Sequence, residues 1–248
     1  MMNDKVVLIT GGIGDIGTAV VKELCPLYRA VIALDVLAPE QAKGWLEKRR
    51  DEGLENAHYR QMDVTHFNEC QGVIDAIFQE FGRIDVLINN AGITRDAVFY
   101  KMTKEQWDEV LRVNLDGMFN VTRAVVGYLR DQEWGRILNV SSVNAQKGQF
   151  SQANYAASKA GIYGFTKSLA QELMAKNITV NSISPGYVDT HLMADIRPDI
   201  LEEIIEQIPA KRLARPEEIA WAIRFLIDER SSYMTGANLS INGGLHMY

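Results

Sequence analysis

What this sequence has little of narrows the possibilities first. It carries two cysteines, Cys25 and Cys70, both in or near predicted helices, so neither a disulfide framework nor a cysteine-based metal spacing can be built. Its four histidines (His58, His66, His191, His246) are scattered and form no zinc constellation, and no metal is expected. No apolar run reaches membrane-spanning length, and the early run Val6-Val7-Leu8-Ile9 is too short for a signal peptide. The expectation is a soluble cytoplasmic protein with no membrane partner. A basic excess is absent too: the net charge of -6 favours solubility and gives no reason to expect nucleic acid as a partner. Repeats, low-complexity tracts and Pro/Ser-rich linkers are missing, so the 248 residues read as one domain, 1–248.

What is present is an alternation. Short apolar runs at 6–9, 30–34, 84–88, 137–140 and 179–183 read as buried strands, mostly bounded by glycine, aspartate or asparagine. Between them lie helical patterns near 16–27, 40–52, 67–81, 104–131, 155–176 and 216–227. This order predicts an α/β chain: a single-domain Rossmann-type, doubly wound parallel sheet with helices on both faces. Residues 187–215 are the least regular; they read as an insertion with a short helix at 198–207, a candidate substrate lid.

In such a sheet, ligands bind beyond the carboxyl ends of the strands. Polar clusters fall there repeatedly: Thr10-Gly11-Gly12, Asp35, Asp63, Asn89 to Gly92, Ser141-Ser142 and Pro185-Gly186. Six at one end of one sheet point to a single crevice. The turn Gly11-Gly12-Ile13-Gly14-Asp15-Ile16-Gly17 follows the first strand and opens a helix, where backbone can approach a pyrophosphate and the helix N-terminus favours its charge. Asp35 ends the second strand, where a carboxylate accepts bonds from both adenosine ribose hydroxyls and repels a 2′-phosphate. No arginine or lysine follows immediately to compensate, so NADH is expected to be preferred, with NADPH possible.

A second stretch, residues 142–159, sets Tyr155 four residues before Lys159 at the start of a helical pattern, so phenol and ammonium share a face. Taken alone, this spacing fits a surface tyrosine and a solvated lysine just as well. Its weight comes from the rest of the chain. Thr10-Gly11, Asn89 to Gly92, Asn114, Ser142, Tyr155/Lys159 and Pro185-Gly186 occur in that order, with the serine thirteen residues before the tyrosine. As a set they resemble the short-chain dehydrogenase/reductase family nearly end to end.

The resemblance implies a catalytic tetrad of Asn114, Ser142, Tyr155 and Lys159. Tyr155 would pass a proton to a ketone oxygen. Lys159 would stabilise the phenolate and bond the nicotinamide ribose; bringing a phenol from about 10 to about 7 requires roughly 4 kcal/mol. Ser142 would orient the carbonyl, and Asn114 would hold a water linking Lys159 to solvent. Cofactor contacts are implied for the glycine-rich turn, Asp35, Asp63 and Val64 (adenine), Asn90, Ala91 and Gly92 (under the ribose), and Pro185, Gly186, Val188 and Thr190. One departure stands out: the family has glycine where this chain has Asp15, and the expected accommodation is a side chain turned outward as a helix N-cap.

Several segments are also similar to acetoacetyl-CoA reductases of polyhydroxyalkanoate synthesis: residues 89–96, 142–150, 185–187 and 242–247. That similarity implies reduction of acetoacetyl-CoA to (R)-3-hydroxybutanoyl-CoA, with substrate contacts from Asp96, Ser142, Gln149, Phe150, Gln152, Tyr155, Tyr187 and Arg197. It also implies a homotetramer, through the helices around 104–131 and 155–176 and the C-terminal segment. A 3-oxoacyl-ACP reductase shares nearly all these motifs; Glu133-Trp134, rather than basic residues, argues mildly against an acidic carrier protein. A catalytically silent NAD(H)-binding protein is a remoter reading, since Ser142, Tyr155 and Lys159 are all present.

Overall fold

Apolar residues at successive positions of one strand face opposite sides of a sheet, so a run such as Val6 to Ile9 must be covered twice. The computed structural model, which describes residues 3–194 and 196–247, meets that requirement with helices on both faces. Strands β1 (Asn3–Thr10), β2 (Tyr28–Asp35), β3 (Ala57–Gln61), β4 (Val86–Asn89), β5 (Gly135–Val140), β6 (Ile178–Pro185) and β7 (Asn238–Ile241) form one parallel sheet. Its order is β3-β2-β1-β4-β5-β6-β7. Val7, Ile9, Val31, Ala33, Val86 and Ile88 pack on one face against α1 (Asp15–Leu24) and α10 (Pro216–Ile227). Val6, Leu8, Ala30, Ile32, Leu34 and Leu87 pack on the other, with residues of α3 (Phe67–Phe81), α5 (Gly117–Gln132) and α7 (Ala153–Leu173). The remaining helices are α2 (Pro39–Asp51), α4 (Lys104–Leu111), α6 (Val143–Lys147), α8 (His191–Ala194) and α9 (Pro198–Gln207).

The strand order reverses between β1 and β4, whose last residues, Thr10 and Asn89, lie side by side. That is where a doubly wound sheet opens its crevice. The helix expected over 104–131 is interrupted: a π-helical turn, Arg112–Asp116, separates α4 from α5 and carries Asn114. Such turns re-aim a side chain within an otherwise regular helix. Residues 187–215 are pinned at their base, since Val188 and Ala214 pair in a parallel bridge and Ala214 N donates to Tyr187 O at 2.9 Å.

Candidate active site

The catalytic candidates come from three elements that end at one place. Ser142 follows β5 and caps α6, its Oγ accepting the Asn144 backbone N–H at 3.1 Å. Tyr155 and Lys159 occupy the first turns of α7, on one face as the spacing required. Lys159 is buried, its Nζ donating to Val140 O at 2.8 Å and lying 5.8 Å from the Tyr155 ring centroid. The Asn114 amide is spent on Ile93, accepting its N–H at 2.8 Å and donating to its carbonyl at 3.0 Å, and on Ser158 Oγ at 3.1 Å. Gly92 closes the group: a Cβ there would stand 3.1 Å from Lys159 Nζ and 3.3 Å from Asn114 Oδ1. A cavity of about 10 Å³, lined by Asn114, Lys159, Asn89 and Val140 among others, has room for about one water.

Electrostatics here depart from the sequence expectation. Lys159 was to pull the Tyr155 phenol down; instead burial pushes it above its ordinary value. The Ser142 hydroxyl works the other way, while neighbouring Asp96 and Tyr163 add to the rise. Burial also draws Lys159 down to about 8. With its ammonium bonded to Val140 O, Lys159 stands over the Tyr155 ring rather than at the phenol oxygen. A phenol raised in this way stays protonated near neutrality, which is the form that donates.

The cofactor candidates line the β1–β4 opening. Asn90 N and Ala91 N both donate to Thr10 Oγ1, at 3.0 and 3.1 Å, and Asn90 Nδ2 reaches Thr10 O and Gly11 O, each at 3.1 Å. The turn Gly11, Gly12, Ile13, Gly14 is thereby stitched to Asn90-Ala91-Gly92. A Cβ on Gly17 would come within 2.3 Å of Gly11 O, so Ile16 can be followed there only by glycine. The start of α1 carries no side-chain cap, leaving its first N–H groups for an anion. Asp35 stands at the end of β2; burial raises its carboxyl against backbone N–H bonds from Val36, Ile13 and Leu37. Asp63 is occupied locally, accepting Thr65 N and Oγ1 at 2.8 Å each, and Val64 packs against Gly117. Pro185 ends β6, Gly186 N donates to Ile241 O, Val188 is buried, and Thr190 O accepts from Met193 N.

Asp15 corrects one expectation. The N-cap of α1 is Gly14, and Asp15, in the first turn, reaches across to α8. Its Oδ2 accepts the His191 backbone N–H at 2.8 Å and lies 2.5 Å from His191 Nδ1. The carboxylate therefore ties the glycine-rich turn to the segment 187–215, a contact spanning 176 positions that sequence reading had no means to find.

On the substrate side, Asp96, Gln149, Gln152 and Tyr187 form bonded pairs near Ser142. Gln152 Nε2 donates to Asp96 Oδ2 at 2.8 Å, and Tyr187 Oη lies 3.5 Å from Gln149 Oε1. Phe150 is 80% exposed, an unsatisfied apolar surface at the same rim. Arg197 is placed apart: it is exposed at the start of α9 and paired with Asp199 at 2.5 Å, with no described bond to the others. Two residues missed from sequence join the site, Asn144 and Lys147. The first donates to Gln152 Oε1 at 2.9 Å; the second donates to Gln149 Oε1 at 2.6 Å. The Glu133-Trp134 argument concerning the acyl carrier does not survive. Those residues precede β5, at the end of the sheet opposite Ser142, where Glu133 pairs with Lys176 and Trp134 stacks against Lys5 and Arg136.

A half-buried tyrosine beside the opening between β1 and β4 marks an oxidoreductase that works with a nicotinamide cofactor. A family model described as short chain dehydrogenase matches residues 5–201, and the chain belongs to that family. It is 46% identical to the acetoacetyl-CoA reductase of Cupriavidus necator, over 99% of this chain and 100% of that one. It is 42% identical to a 3-oxoacyl-[acyl-carrier-protein] reductase of Thermotoga maritima, over 98% of each. The solved structure of gox2181 superposes with a TM-score of 0.93 at 31% identity, covering 99% of this chain and 96% of the other.

Proposed function

We propose that the protein reduces acetoacetyl-CoA to (R)-3-hydroxybutanoyl-CoA, with NADH preferred over NADPH. The observation that carries this reading is the meeting of Lys159 and Asn114 at Gly92, with the Tyr155 ring beside Lys159 and the Ser142 hydroxyl bonded to Tyr155, in a chain 46% identical to an acetoacetyl-CoA reductase. The turn 11–17, Asp35, Asp63-Val64, Asn90 to Gly92 and the 185–190 segment would hold the dinucleotide, which when bound supplies the hydride. Tyr155 donates the proton to the carbonyl oxygen, and burial keeps the phenol protonated until it does so. Ser142 Oγ already accepts from Asn144 N, which frees its own O–H to bond the same oxygen as charge develops. Lys159 steadies the phenolate left behind, and the cavity beside Asn114 has room for the water that would return the proton. The 187–215 segment acts as the lid, anchored at Val188–Ala214 and at Asp15–His191.

The NADH preference rests on Asp35, which has no cationic partner among the described residues to receive a 2′-phosphate. Exposed Phe99, Tyr100 and Phe119 around α4 and α5, and Trp221 and Phe225 on α10, support a homotetramer. The 42% identical reductase favours one second reading, reduction of an acyl-carrier-protein thioester. Initial rates with acetoacetyl-CoA and the carrier-protein ester, each with NADH and NADPH, separate these readings. The expected order places acetoacetyl-CoA with NADH first, and Asp35→Ser shifts the NADPH/NADH ratio upward by about tenfold or more. Equal kcat/KM with both cofactors, or no shift in that variant, removes the cofactor assignment.

A further inference from the structure

Three polar side chains from three elements meet beside Ser142 and Tyr155. Asp96 lies in the loop after β4, Asn144 is the second residue of α6, and Gln152 immediately precedes α7. Gln152 Nε2 donates to Asp96 Oδ2, and Asn144 Nδ2 donates to Gln152 Oε1. Through its backbone N–H, Asn144 also holds Ser142 Oγ. Asn144 is 7% exposed, and its Oδ1 is buried with no hydrogen-bond partner among the described residues.

The direction of this chain is set from its far end. A carboxylate can only accept, so Gln152 must turn its NH₂ toward Asp96. Its Oε1 then faces Asn144, which must answer with its own NH₂. Asp96 has no ion pair among the described residues, so its charge is not spent elsewhere. Buried polar atoms are nearly always paired, and an asparagine serving only local structure would be oriented to satisfy both ends of its amide. The unpaired Oδ1 fits an orientation imposed on Asn144 from outside. The same Asp96 charge pushes the phenols of Tyr155 and Tyr187 up, so the anchor of the chain also acts on the proton donor.

We propose that Asn144 is a positioning residue for the reduction: it locks Gln152 in the orientation Asp96 dictates and ties that orientation to the cap on Ser142. The proposal rests on the reductase reading above. Asp96, Gln152 and Asn144 then act as one unit with a polarity, and that polarity can be reversed. Asp96→Asn removes the obligate acceptor at one end, and Asn144→Asp places one at the other; together they let Gln152 donate in the opposite direction.

The experiment measures kcat/KM at saturating NADH for the wild type, both single variants and the double, on acetoacetyl-CoA and on ethyl acetoacetate. NADH affinity is followed by fluorescence as a check on folding. Each single variant is expected to lose about tenfold or more, and the double to exceed both singles by about fivefold, with NADH affinity unchanged within about twofold. A double variant showing the product of the two losses, or singles with wild-type activity, overturns the proposal. If Asn144→Asp does not fold, Asn144→Ala combined with Asp96→Asn decides: the double should be no worse than the poorer single, and additive losses overturn the unit. Wild-type failure on acetoacetyl-CoA would instead count against the substrate reading, while the pattern among variants on ethyl acetoacetate judges the network separately.

Discussion

The two walls of the crevice are held in opposite ways. The catalytic wall, β5 with α6 and α7, is fastened from inside: Lys159 to Val140, Ser141 Oγ to the Lys159 carbonyl, and Asn154 Nδ2 to the carbonyls of Arg95 and Gln106. Lys159, Ser142, Asn144 and Asn154 are all buried. In the facing wall, the turn before α1 with the 187–215 segment, the side-chain tie lies at the surface: Asp15–His191 joins the two parts, while Arg197–Asp199 and Lys211–Glu206 are exposed pairs within the segment. Buried bonds resist opening because each broken partner is left without water, whereas exposed pairs contribute about 0–1 kcal/mol. Chemistry that needs atoms held to a fraction of an ångström belongs on the first wall, and parts that must admit a cofactor and a substrate belong on the second.

Variants that probe this contrast fall in a clear order. Tyr155→Phe removes the proton donor from the rigid wall; kcat should fall about 10²–10⁴-fold while NADH affinity stays nearly unchanged. Appreciable residual turnover would place the acid elsewhere. Gly17→Ala drives a methyl into Gly11 O, a backbone atom that cannot step aside. It should lower stability by about 1–3 kcal/mol in thermal or denaturant unfolding and weaken NADH binding as well. Lys159 gives the pH test. Its proton leaves near pH 8, below the ordinary lysine value, so NADH affinity should fall as pH rises through 8, and Lys159→Met should flatten that profile. In the cofactor-free protein the sign for stability is reversed. Between about pH 8 and 10.5 the unfolded chain holds a proton that the folded chain has lost, so this group favours folding increasingly across that window. The smallest effect belongs to the second wall: Asp15→Ala should cost no more than about 1 kcal/mol, and 0.5 M salt should erase most of the difference. A larger, salt-insensitive loss would mean the two walls are not so different.

Much of this contrast was legible in the residues, and the reasons for the exceptions are physical. Strands buried on both faces, such as β1 and β2, announce themselves as unbroken apolar runs. Edge strands do not: β3 (Ala57–Gln61) alternates buried and partly exposed residues, and β7 (Asn238–Ile241) is only half-buried throughout, so neither stands out as a run. Tyr155 and Lys159 could be read because helical spacing puts them on one face. The π-helical turn under Asn114 could not be, since residues 104–131 read as one unbroken helical pattern. Nor could the partner of Asp15, or the chain from Asp96 to Asn144, which depend on elements meeting across the crevice.

The central claim is that the buried wall donates a proton to a 3-oxoacyl thioester while a nicotinamide delivers hydride to one face of it. Incubation of acetoacetyl-CoA with NADH deuterated at the transferable C4 position, followed by chiral analysis of the product, tests it directly. The account predicts (R)-3-hydroxybutanoyl-CoA with deuterium at C3; the S enantiomer, an unlabelled product or no product at all would contradict it.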